Sequence, residues 1–188
     1  MRKILLCMLV LTLPCLAQEA WNVEVQLVRL GDQRGKLDYL MELGQWNQQL
    51  KSAEILDAGT AVMTLDKPTS LMLGRKYPIT YFDPRAGMSQ VNYVDVGFKA
   101  DLTPKPLGDG RVMLDCFLEK RSFSDEKLPL PTVDNFSCYS TLLLKPGQVA
   151  VAAVTRGMVG TRYLKGLFPG RNFSEKDSFV WTVSARKV

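Results

Sequence analysis

The sequence contains no histidine at any of its 188 positions. Histidine is the commonest general acid or base near neutral pH and the commonest metal ligand, so its absence removes most acid–base and metal sites. Cysteine is scarce, with four residues, and Cys7 and Cys15 fall in the first fifteen positions. The two thiols that remain cannot form a structural zinc site. We therefore predict no enzyme, no metal and no cofactor.

Carboxylate pairs are the remaining candidates for catalysis. Asp95 with Asp101 and Asp109 with Asp115 are close enough along the chain to be considered. The first pair falls on the polar side of a predicted strand, and Asp109 lies in a Gly-Asp-Gly turn. That turn is not a phosphate-binding loop, since no Lys-Ser/Thr follows it on a helix. We predict no catalytic residues.

Strong net charge is also missing. The net charge is +5 for the whole chain and +3 without residues 1–17, which carry two basic and no acidic residues. No basic-aromatic stripe is present, so a nucleic-acid partner is not expected. Two groups of cations could mark a basic rim, but scattered solvated charge is the favoured interpretation. The groups are Arg75 with Lys76, and Arg156 with Arg162 and Lys165.

The one long apolar run covers residues 4–13, follows a basic start and ends at Pro14. It is too short to span a membrane, and the small residue Ala17 follows, as in secretory signal peptides. We predict cleavage after Ala17 and export. Acylation at Cys15 is the alternative.

Removing residues 1–17 leaves 171 residues, enough for one domain with a sizeable core. We predict a single domain over 18–188, with a strand and helix lead-in over 18–52 and a β-hairpin core over 53–188. The sequence shows no internal repeat.

Cys116 and Cys138 are the two cysteines of the exported chain. They lie in apolar runs that read as paired strands, and the exported compartment is oxidising. We predict a cross-strand disulfide, which would contribute roughly 3 kcal/mol in the chain-entropy model. Two buried free thiols are the alternative.

Alternation of apolar and polar residues dominates the chain, which predicts a mainly β fold with antiparallel hairpins. One segment, 36–51, has helical spacing instead, with apolar residues at Tyr39, Leu43, Trp46 and Leu50. The alternation predicts strands over 21–30, 53–56, 60–65, 69–73, 137–144, 148–155 and 178–183.

The central segment, 91–114, reads as one hairpin. Val94, Val96 and Phe98 alternate with polar residues on the outgoing strand. Pro104 and the proline two positions later should end that strand because neither can donate to a ladder. The Gly-Asp-Gly sequence that follows suits the reversal.

Three other features have two interpretations each. The loop 83–87 is either a lip or gate or a solvent-exposed hairpin turn. Trp21, Trp46 and Trp181 suit the core, although Trp181 could be an interface aromatic. The apolar run 149–154 is either buried between layers or in contact with lipid.

The order of short motifs along the chain resembles the secretin domain of bacterial type II and type III secretion and type IV pilus outer-membrane channels. In that family a turn of the "TLD" type is followed by an apolar strand, a glycine and a "PI" element. A "VG" strand ending in Thr-Pro, a "DG" return and two further hairpin strands complete the domain. The matching positions are Leu65-Asp66, Gly74, Pro78-Ile79, Val96-Gly97, Thr103-Pro104, Asp109-Gly110, Gly147-Gln148 and residues 179–183.

The chain departs from the family pattern in four respects. The family's amphipathic stretch is reduced to residues 163–168, and Arg156 stands where the family has paired glycines. Ser184-Ala185 replaces a closing Thr-Pro. The usual small periplasmic domains have no counterpart ahead of the match.

The resemblance implies a curved antiparallel sheet with one helix near the mature N-terminus. It also implies a role in the cell envelope, with the exported chain in the periplasm or outer membrane. It implies protein secretion or outer-membrane ring assembly, with other copies or other secretion components as partners. The alternative is a soluble periplasmic accessory or binding module that forms no pore. Contact with the membrane is left open.

Overall fold

The computed structural model describes residues 19–31, 40–51, 53–123, 132–156, 167–168, 170–174 and 176–188. The fold is mainly β with one helix in this part of the chain, as predicted. Its strands are β1 (Ala20–Leu30), β2 (Leu40–Glu42), β3 (Ala53–Thr64), β4 (Thr69–Asp83), β5 (Met88–Pro106), β6 (Val112–Phe123), β7 (Val133–Leu144), β8 (Gln148–Arg156) and β9 (Ser178–Lys187), and its helix is α1 (Leu43–Leu50).

The strands form two antiparallel sheets. Sheet A has the order β2-β8-β9-β1-β3, and sheet B has the order β4-β5-β6-β7. The chain passes between the sheets at the β3–β4 and β7–β8 turns. In the second turn Gly147 follows Pro146 and adopts a φ of +84°, as a type II turn requires of the residue after its proline.

The main core lies between the sheets and follows from the alternation of the strands. Val23 and Val25 of β1 and Phe98 and Ala100 of β5 are fully buried and belong to one apolar cluster. Their neighbours along each strand point to the opposite face, because successive side chains alternate across a sheet. Trp181 of β9 is also fully buried there.

The predicted helix over 36–51 is partly wrong. Residues 40–42 form strand β2, which pairs with β8, and the helix begins at Leu43. The backbone N–H of Glu42 donates to Oε1 of Gln45 at 3.3 Å, which satisfies a donor at this end. In residues 40–42, pairing with β8 determines the conformation although the spacing of apolar residues is helical. Residues 36–39 lie outside the described residues.

Helix α1 covers the outer face of sheet A. Trp46 is 2% exposed, and Leu43 and Leu50 pack against the same cluster. Val149 and Val151 of β8 are buried under the helix, while Ala150 faces the main core. The apolar run 149–154 is therefore buried between layers at its first three residues, in agreement with the burial alternative.

The predicted break at 57–59 is absent, since β3 is one continuous strand. It contains a β-bulge instead: Leu27 pairs with Asp57 and Val28 with Ile55, which leaves Leu56 as the extra residue. Nζ of Lys120, in sheet B, lies 2.6 Å from Oδ2 of Asp57. The bulged strand thus contributes one half of an ion pair between the two sheets.

We expect this inter-sheet pair to show energetic coupling. Lys120 and Asp57 side chains are only 15% and 21% exposed. Removing one partner leaves a poorly solvated charge, so Asp57→Ala should lower the free energy of unfolding by about 2 kcal/mol. A double-mutant cycle with Lys120→Ala, measured by urea unfolding, should give a coupling of about 1 kcal/mol.

The exposed pair Asp109 and Arg111, with side chains 49% and 38% exposed, is the matched control. Its coupling should stay below about 0.5 kcal/mol because water screens it. Additive effects of Asp57→Ala and Lys120→Ala would contradict the assignment.

The strand ends also differ from prediction. Strand β5 continues past Pro104, where its end was predicted, to Pro106. The partner strand β4 begins at Thr69, opposite Leu102. No β4 residue therefore lies opposite the prolines, and the backbone N–H that they lack is not needed for pairing with β4. Residues 69–83 form one strand that passes through Pro78, which an edge strand tolerates.

Candidate functional site

A two-stranded hairpin projects beyond the sandwich. Pairing between β5 and β6 ends at Gly97 opposite Arg121, whereas pairing between β4 and β5 continues to Asp83 opposite Met88. We call residues 75–96 the hairpin arm. Along the arm, no strand among the described residues pairs with the edge of β5 that faces β6 in the rest of the sheet.

The tip of the arm is a closed turn. Oδ1 of Asp83 accepts hydrogen bonds from the backbone N–H of Arg85 at 2.9 Å and of Ala86 at 3.4 Å. Gly87 has a φ of +65° and donates to the Asp83 carbonyl oxygen at 2.9 Å. The loop 83–87 therefore has the geometry of an exposed hairpin turn.

A pair of opposed glycines forms the root of the arm. Gly74 of β4 faces Gly97 of β5, and Gly97 has a φ of +131°. A Cβ on Gly74 would lie 2.1 Å from the carbonyl oxygen of Val96, and one on Gly97 would lie 2.4 Å from that of Leu73. The strands approach each other so closely at this point that only glycine fits.

One face of the arm exposes three large apolar side chains, with Thr80 and Ser89 among them. Directly paired residues share a face, so Pro78 lies beside Tyr93, and Val91 is two positions further toward the tip. Phe82, on the same face, is 63% exposed, Tyr93 66% and Val91 50%. Sequence reasoning did not assign this strip, although apolar residues on both sides of the 83–87 turn are visible in the sequence.

The other face of the arm contacts β6. The ring of Tyr77 meets that of Phe123 edge to face, with centroids 4.6 Å apart. The guanidinium of Arg75 lies 5.6 Å from the centre of the Tyr77 ring. These contacts hold the base of the arm beside the end of β6.

The outer face of sheet B has three pairs of a cation and a carboxylate. Each carboxylate also accepts a hydrogen bond from a hydroxyl or amide on an edge strand. The groups are Lys99–Asp101 with Ser70, Lys105–Asp115 with Thr141, and Arg121–Glu119 with Asn135.

These contacts affect ionisation. Burial opposes ionisation of Asp101, but hydrogen bonds from Lys99 and Ser70 and the charge of Lys99 leave its pKa below the usual value. Hydrogen bonds from Lys105 and Thr141 lower the pKa of Asp115. Both carboxylates therefore remain ionised and paired at neutral pH.

Sheet B has two open edges. Among the described residues, no strand pairs with the outer side of β4 or of β7. Unpaired N–H and C=O groups along such edges are templates for pairing with another chain. The exposed side chains of β7 include Tyr139, 71% exposed, and Leu143, 43% exposed.

The carboxylate pairs considered from sequence are not brought together as catalytic dyads. Asp101 pairs with Lys99 and Asp115 with Lys105, while Asp109 pairs with Arg111 in its own turn. Asp95 lies six positions before Asp101 on the same strand, and its Oδ1 has no hydrogen-bond partner among the described residues. No group of three acidic or thiol side chains suited to a metal ion occurs in the described part of the chain.

The secretin-like motif positions occupy turns, strand ends and the root of the arm. Gly74 and Gly97 face each other, and Pro78 lies in the arm. Gly110, with a φ of +78°, turns the chain between β5 and β6, and Gly147 donates to the Ala185 carbonyl oxygen at 2.8 Å. Thr103 and Pro104 lie near the end of β5. No binding role for these positions follows from their geometry alone.

Of the predicted basic rim, Arg75 and Lys76 lie at the base of the arm. Arg162, Lys165 and the side chain of Arg156 fall outside the described residues. Trp21, Trp46 and Trp181 are all at most 2% exposed, so they are core residues and Trp181 is not an interface aromatic in a single copy.

The predicted disulfide is absent, because Cys116 and Cys138 are both free thiols. Cys138 lies opposite Leu118, and Cys116 lies opposite Ser140. The two thiols are thus diagonal neighbours, and the Cα distance of about 7–8 Å typical of diagonal positions exceeds the reach of a disulfide. Sγ of Cys116 contacts the Ser140 carbonyl oxygen at 3.2 Å.

We expect both thiols to resist alkylation in the folded protein. Burial raises the pKa of Cys116 to about 12 and that of Cys138 to about 11, so the reactive thiolate is rare at neutral pH. In the chain without residues 1–17, iodoacetamide should add no label before unfolding and two labels after it, without reductant. Mass spectrometry measures both numbers. A failure to label the unfolded chain without reductant would show that the two cysteines form a disulfide.

No helix in the described part of the chain is long and apolar enough to cross a membrane.

No protein-family model and no curated protein matches this sequence. Solved secretin structures do match the fold. The ETEC pilotin–secretin complex AspS–GspD matches with a TM-score of 0.55 and 10% identity, over 90% of this chain and 50% of that chain. The V. cholerae type IV competence pilus secretin PilQ matches with a TM-score of 0.54 and 11% identity, over 91% of this chain and 61% of that chain. The InvG secretin domain of the Salmonella SPI-1 injectisome matches with a TM-score of 0.51 and 12% identity, over 90% of this chain and 61% of that chain.

The chain thus spans between 50% and 61% of the length of these three structures. At such identities the similarity concerns the fold. Together with the motif order, the two antiparallel sheets and the single helix, it leads to one conclusion: this chain has the fold of the secretin domain.

Proposed function

We propose that this chain is a non-enzymatic component of the bacterial cell envelope, related to protein secretion, whose copies join edge to edge through sheet B. The observation that carries the proposal is the pair of edges, on β4 and β7, with which no described strand pairs, on a chain with the secretin fold. The chain is exported in this proposal, and its partners are other copies or other secretion components. One of the similar structures is itself a complex of a secretin with a pilotin.

The strand directions favour head-to-tail assembly. The four strands of sheet B are successively antiparallel, so β4 and β7 run in opposite directions. If β7 of one copy lies beside β4 of the next, the antiparallel order continues without interruption. A head-to-tail contact of this kind closes into a ring when the rotation between copies allows it.

Proline limits where β4 can accept a neighbour. Pro78 pairs with Tyr93 of β5 but has no N–H to donate to a strand on its outer side. Pairing between copies would therefore use β4 from Thr69 to the base of the arm. The rest of the arm would remain outside the shared sheet.

The arm is then placed to act as a lip or gate. It extends past the paired part of the sheet, and one of its faces exposes Phe82, Val91 and Tyr93. In a ring, these faces would gather around one opening.

Disulfide trapping tests the head-to-tail contact. In a background with Cys116→Ser and Cys138→Ser, Ser70→Cys is combined with Ser137→Cys, Tyr139→Cys or Thr141→Cys in turn. All four positions lie on the outer face of sheet B. Oxidation should produce a ladder of covalent oligomers for at least one combination, seen on a non-reducing gel.

Each single-cysteine variant is the control, because one cysteine per copy can link at most two copies. A ladder that ends at the dimer in every double variant, or no cross-linking at all, would contradict head-to-tail pairing through β4 and β7.

The alternative function is a soluble periplasmic accessory or binding module. The paired charges on the outer face of sheet B favour it, because they suit water or a protein surface. Cell fractionation separates the two functions. An SDS-resistant oligomer in the outer-membrane fraction supports ring assembly, whereas a monomer released by osmotic shock supports the accessory.

A further inference from the structure

A small polar cavity lies beside helix α1 on the outer face of sheet A. Trp46 of the helix lines it together with side chains of β1 and β9. Gln26 of β1 pairs with Thr182 of β9, and two positions away Glu24 pairs with Ser184. Because directly paired residues share a face, all four side chains lie on this side of the sheet. The cavity has a volume of about 90 Å³.

The polar groups of the cavity are well buried. Thr182 is 2% exposed and Ser184 is 8% exposed, and neither hydroxyl is hydrogen-bonded within the described part of the chain. Nε1 of Trp46 donates to Oε1 of Gln26 at 3.3 Å, and Nε2 of Gln26 donates to Oε1 of Glu24 at 2.7 Å. Buried hydroxyls need hydrogen-bond partners, so the cavity suits a polar occupant.

Two charges of opposite sign line the cavity without pairing with each other. Arg186 lies opposite Asn22, whereas Glu24 lies opposite Ser184, so the two charges occupy diagonal positions. The Cα atoms of diagonal neighbours are about 7–8 Å apart. Among the described residues, neither charged side chain takes part in an ion pair. Each is therefore able to bind the opposite charge of one short molecule between them.

The volume limits what the cavity can hold. Pockets for drug-sized ligands measure about 300–1,000 Å³, whereas one water molecule needs about 10–15 Å³. A cavity of about 90 Å³ is too small for a nucleotide or a disaccharide. It takes a few water molecules or one polar molecule with a few heavy atoms.

We propose that this cavity binds a small zwitterionic α-amino acid such as glycine or alanine. The ammonium group donates to Glu24, and the carboxylate accepts from Arg186 and from the hydroxyl of Ser184. An α-amino acid carries its two charges on groups attached to one carbon, which matches a short gap between a carboxylate and a guanidinium. This goes beyond edge-to-edge assembly, because the site lies on sheet A and is formed by a single copy.

Nuclear magnetic resonance of the ¹⁵N-labelled protein without residues 1–17 tests the site. The chain has three tryptophans, so three indole N–H signals are expected, and Trp46→Phe identifies the signal of Trp46. Glycine and alanine should each shift this signal saturably, with a half-maximal change at about 1–10 mM. The signals of Trp21 and Trp181, which lie in the core between the sheets, should stay in place.

Two compounds with one charge each are the ligand controls. Sodium acetate supplies only a carboxylate, and methylammonium chloride supplies only an ammonium group. At equal ionic strength, each should need at least about tenfold higher concentration than alanine for the same shift.

Glu24→Gln and Arg186→Gln should each weaken alanine binding at least about tenfold. Glutamine at position 24 can still accept the hydrogen bond from Gln26, so the change removes the charge and keeps that contact. Lys187→Gln is the matched control, because it removes the next cation of β9, which pairs with Glu19. Its affinity should stay within about twofold. Circular dichroism verifies the folding of each variant.

A Trp46 signal that does not move, or that moves without saturating, overturns the proposal. Equal half-maximal concentrations for alanine and for acetate or methylammonium overturn it as well, since they would mean that one charge is enough. The ligand comparison uses the unchanged protein, so it decides the matter even if a variant unfolds. Because no contact between copies is involved, a failure here is distinguishable from a failure of ring assembly.

Discussion

Replacing Gly97 by alanine should lower the free energy of unfolding by about 3 kcal/mol or more. The new Cβ would lie 2.4 Å from the carbonyl oxygen of Leu73 and 2.5 Å from Cα of Gly74. Backbone atoms of a paired strand cannot rotate away as a side chain can. The φ of +131° adds a conformational cost that glycine does not have.

Urea unfolding followed by tryptophan fluorescence measures the change. The melting temperature should fall by about 6–12 °C for a domain of this size. Gly74→Ala should behave similarly, because its Cβ would lie 2.1 Å from the Val96 carbonyl oxygen.

Gly108→Ala is the matched control. Its Cβ would meet nothing within 4 Å, and its φ is not positive. The change should stay within about 0.5 kcal/mol. Equal stability of the Gly97→Ala and Gly108→Ala proteins would show that the two strands do not approach each other at the root of the arm.

Replacing Trp181 by alanine should cost about 4 kcal/mol. Trp181 is fully buried in the core between the sheets. Its ring lies 5.6 Å from that of Phe98 and 6.0 Å from that of Phe136, both in sheet B. The substitution therefore removes contacts across the interface of the two sheets and leaves a large cavity.

Trp181→Phe should cost only about 1–2 kcal/mol, because it keeps an aromatic ring in the same place. The indole N–H has no hydrogen-bond partner among the described residues, so its removal breaks no hydrogen bond there. Tyr139→Ala, at a position 71% exposed, should stay within about 0.5 kcal/mol. A small effect of Trp181→Ala would mean that the sheets do not pack through this residue.

Alternation in the sequence was enough to predict the β class and most strands. The central hairpin over 91–114 was found because Val94, Val96 and Phe98 recur at every second position, and the structure buries Val96 and Phe98. The order of motifs likewise led to the secretin fold. Local patterns of this kind depend on neighbours two or four positions apart, which the sequence displays directly.

Errors arose where distant strands determine the conformation. Residues 40–42 have helical spacing in the sequence but pair with β8, more than a hundred positions later. The 57–59 segment looks like a turn but continues β3, because β1 accommodates Leu56 as a bulge. The two cysteines lie on neighbouring strands as expected, yet the strand register makes them diagonal neighbours.

The candidate surfaces depended most on tertiary structure. Gly74 and Gly97 were recognised as motif positions, but only the register of β4 and β5 makes them a facing pair. A cleft lined in part by Arg75 and Arg121 lies between β5 and β6, because β6 leaves β5 at one point and follows β7. No local pattern encodes where two strands separate.

For this protein the sequence by itself determined which side chains face inward along each strand, the absence of histidine chemistry and the succession of motifs typical of secretins. Tertiary structure alone decided the registers, the bulge, the free thiols, the projecting arm and the cleft. The physical reason is that a strand's faces follow from its own alternation. Its register, by contrast, follows from the packing of every strand against which it lies.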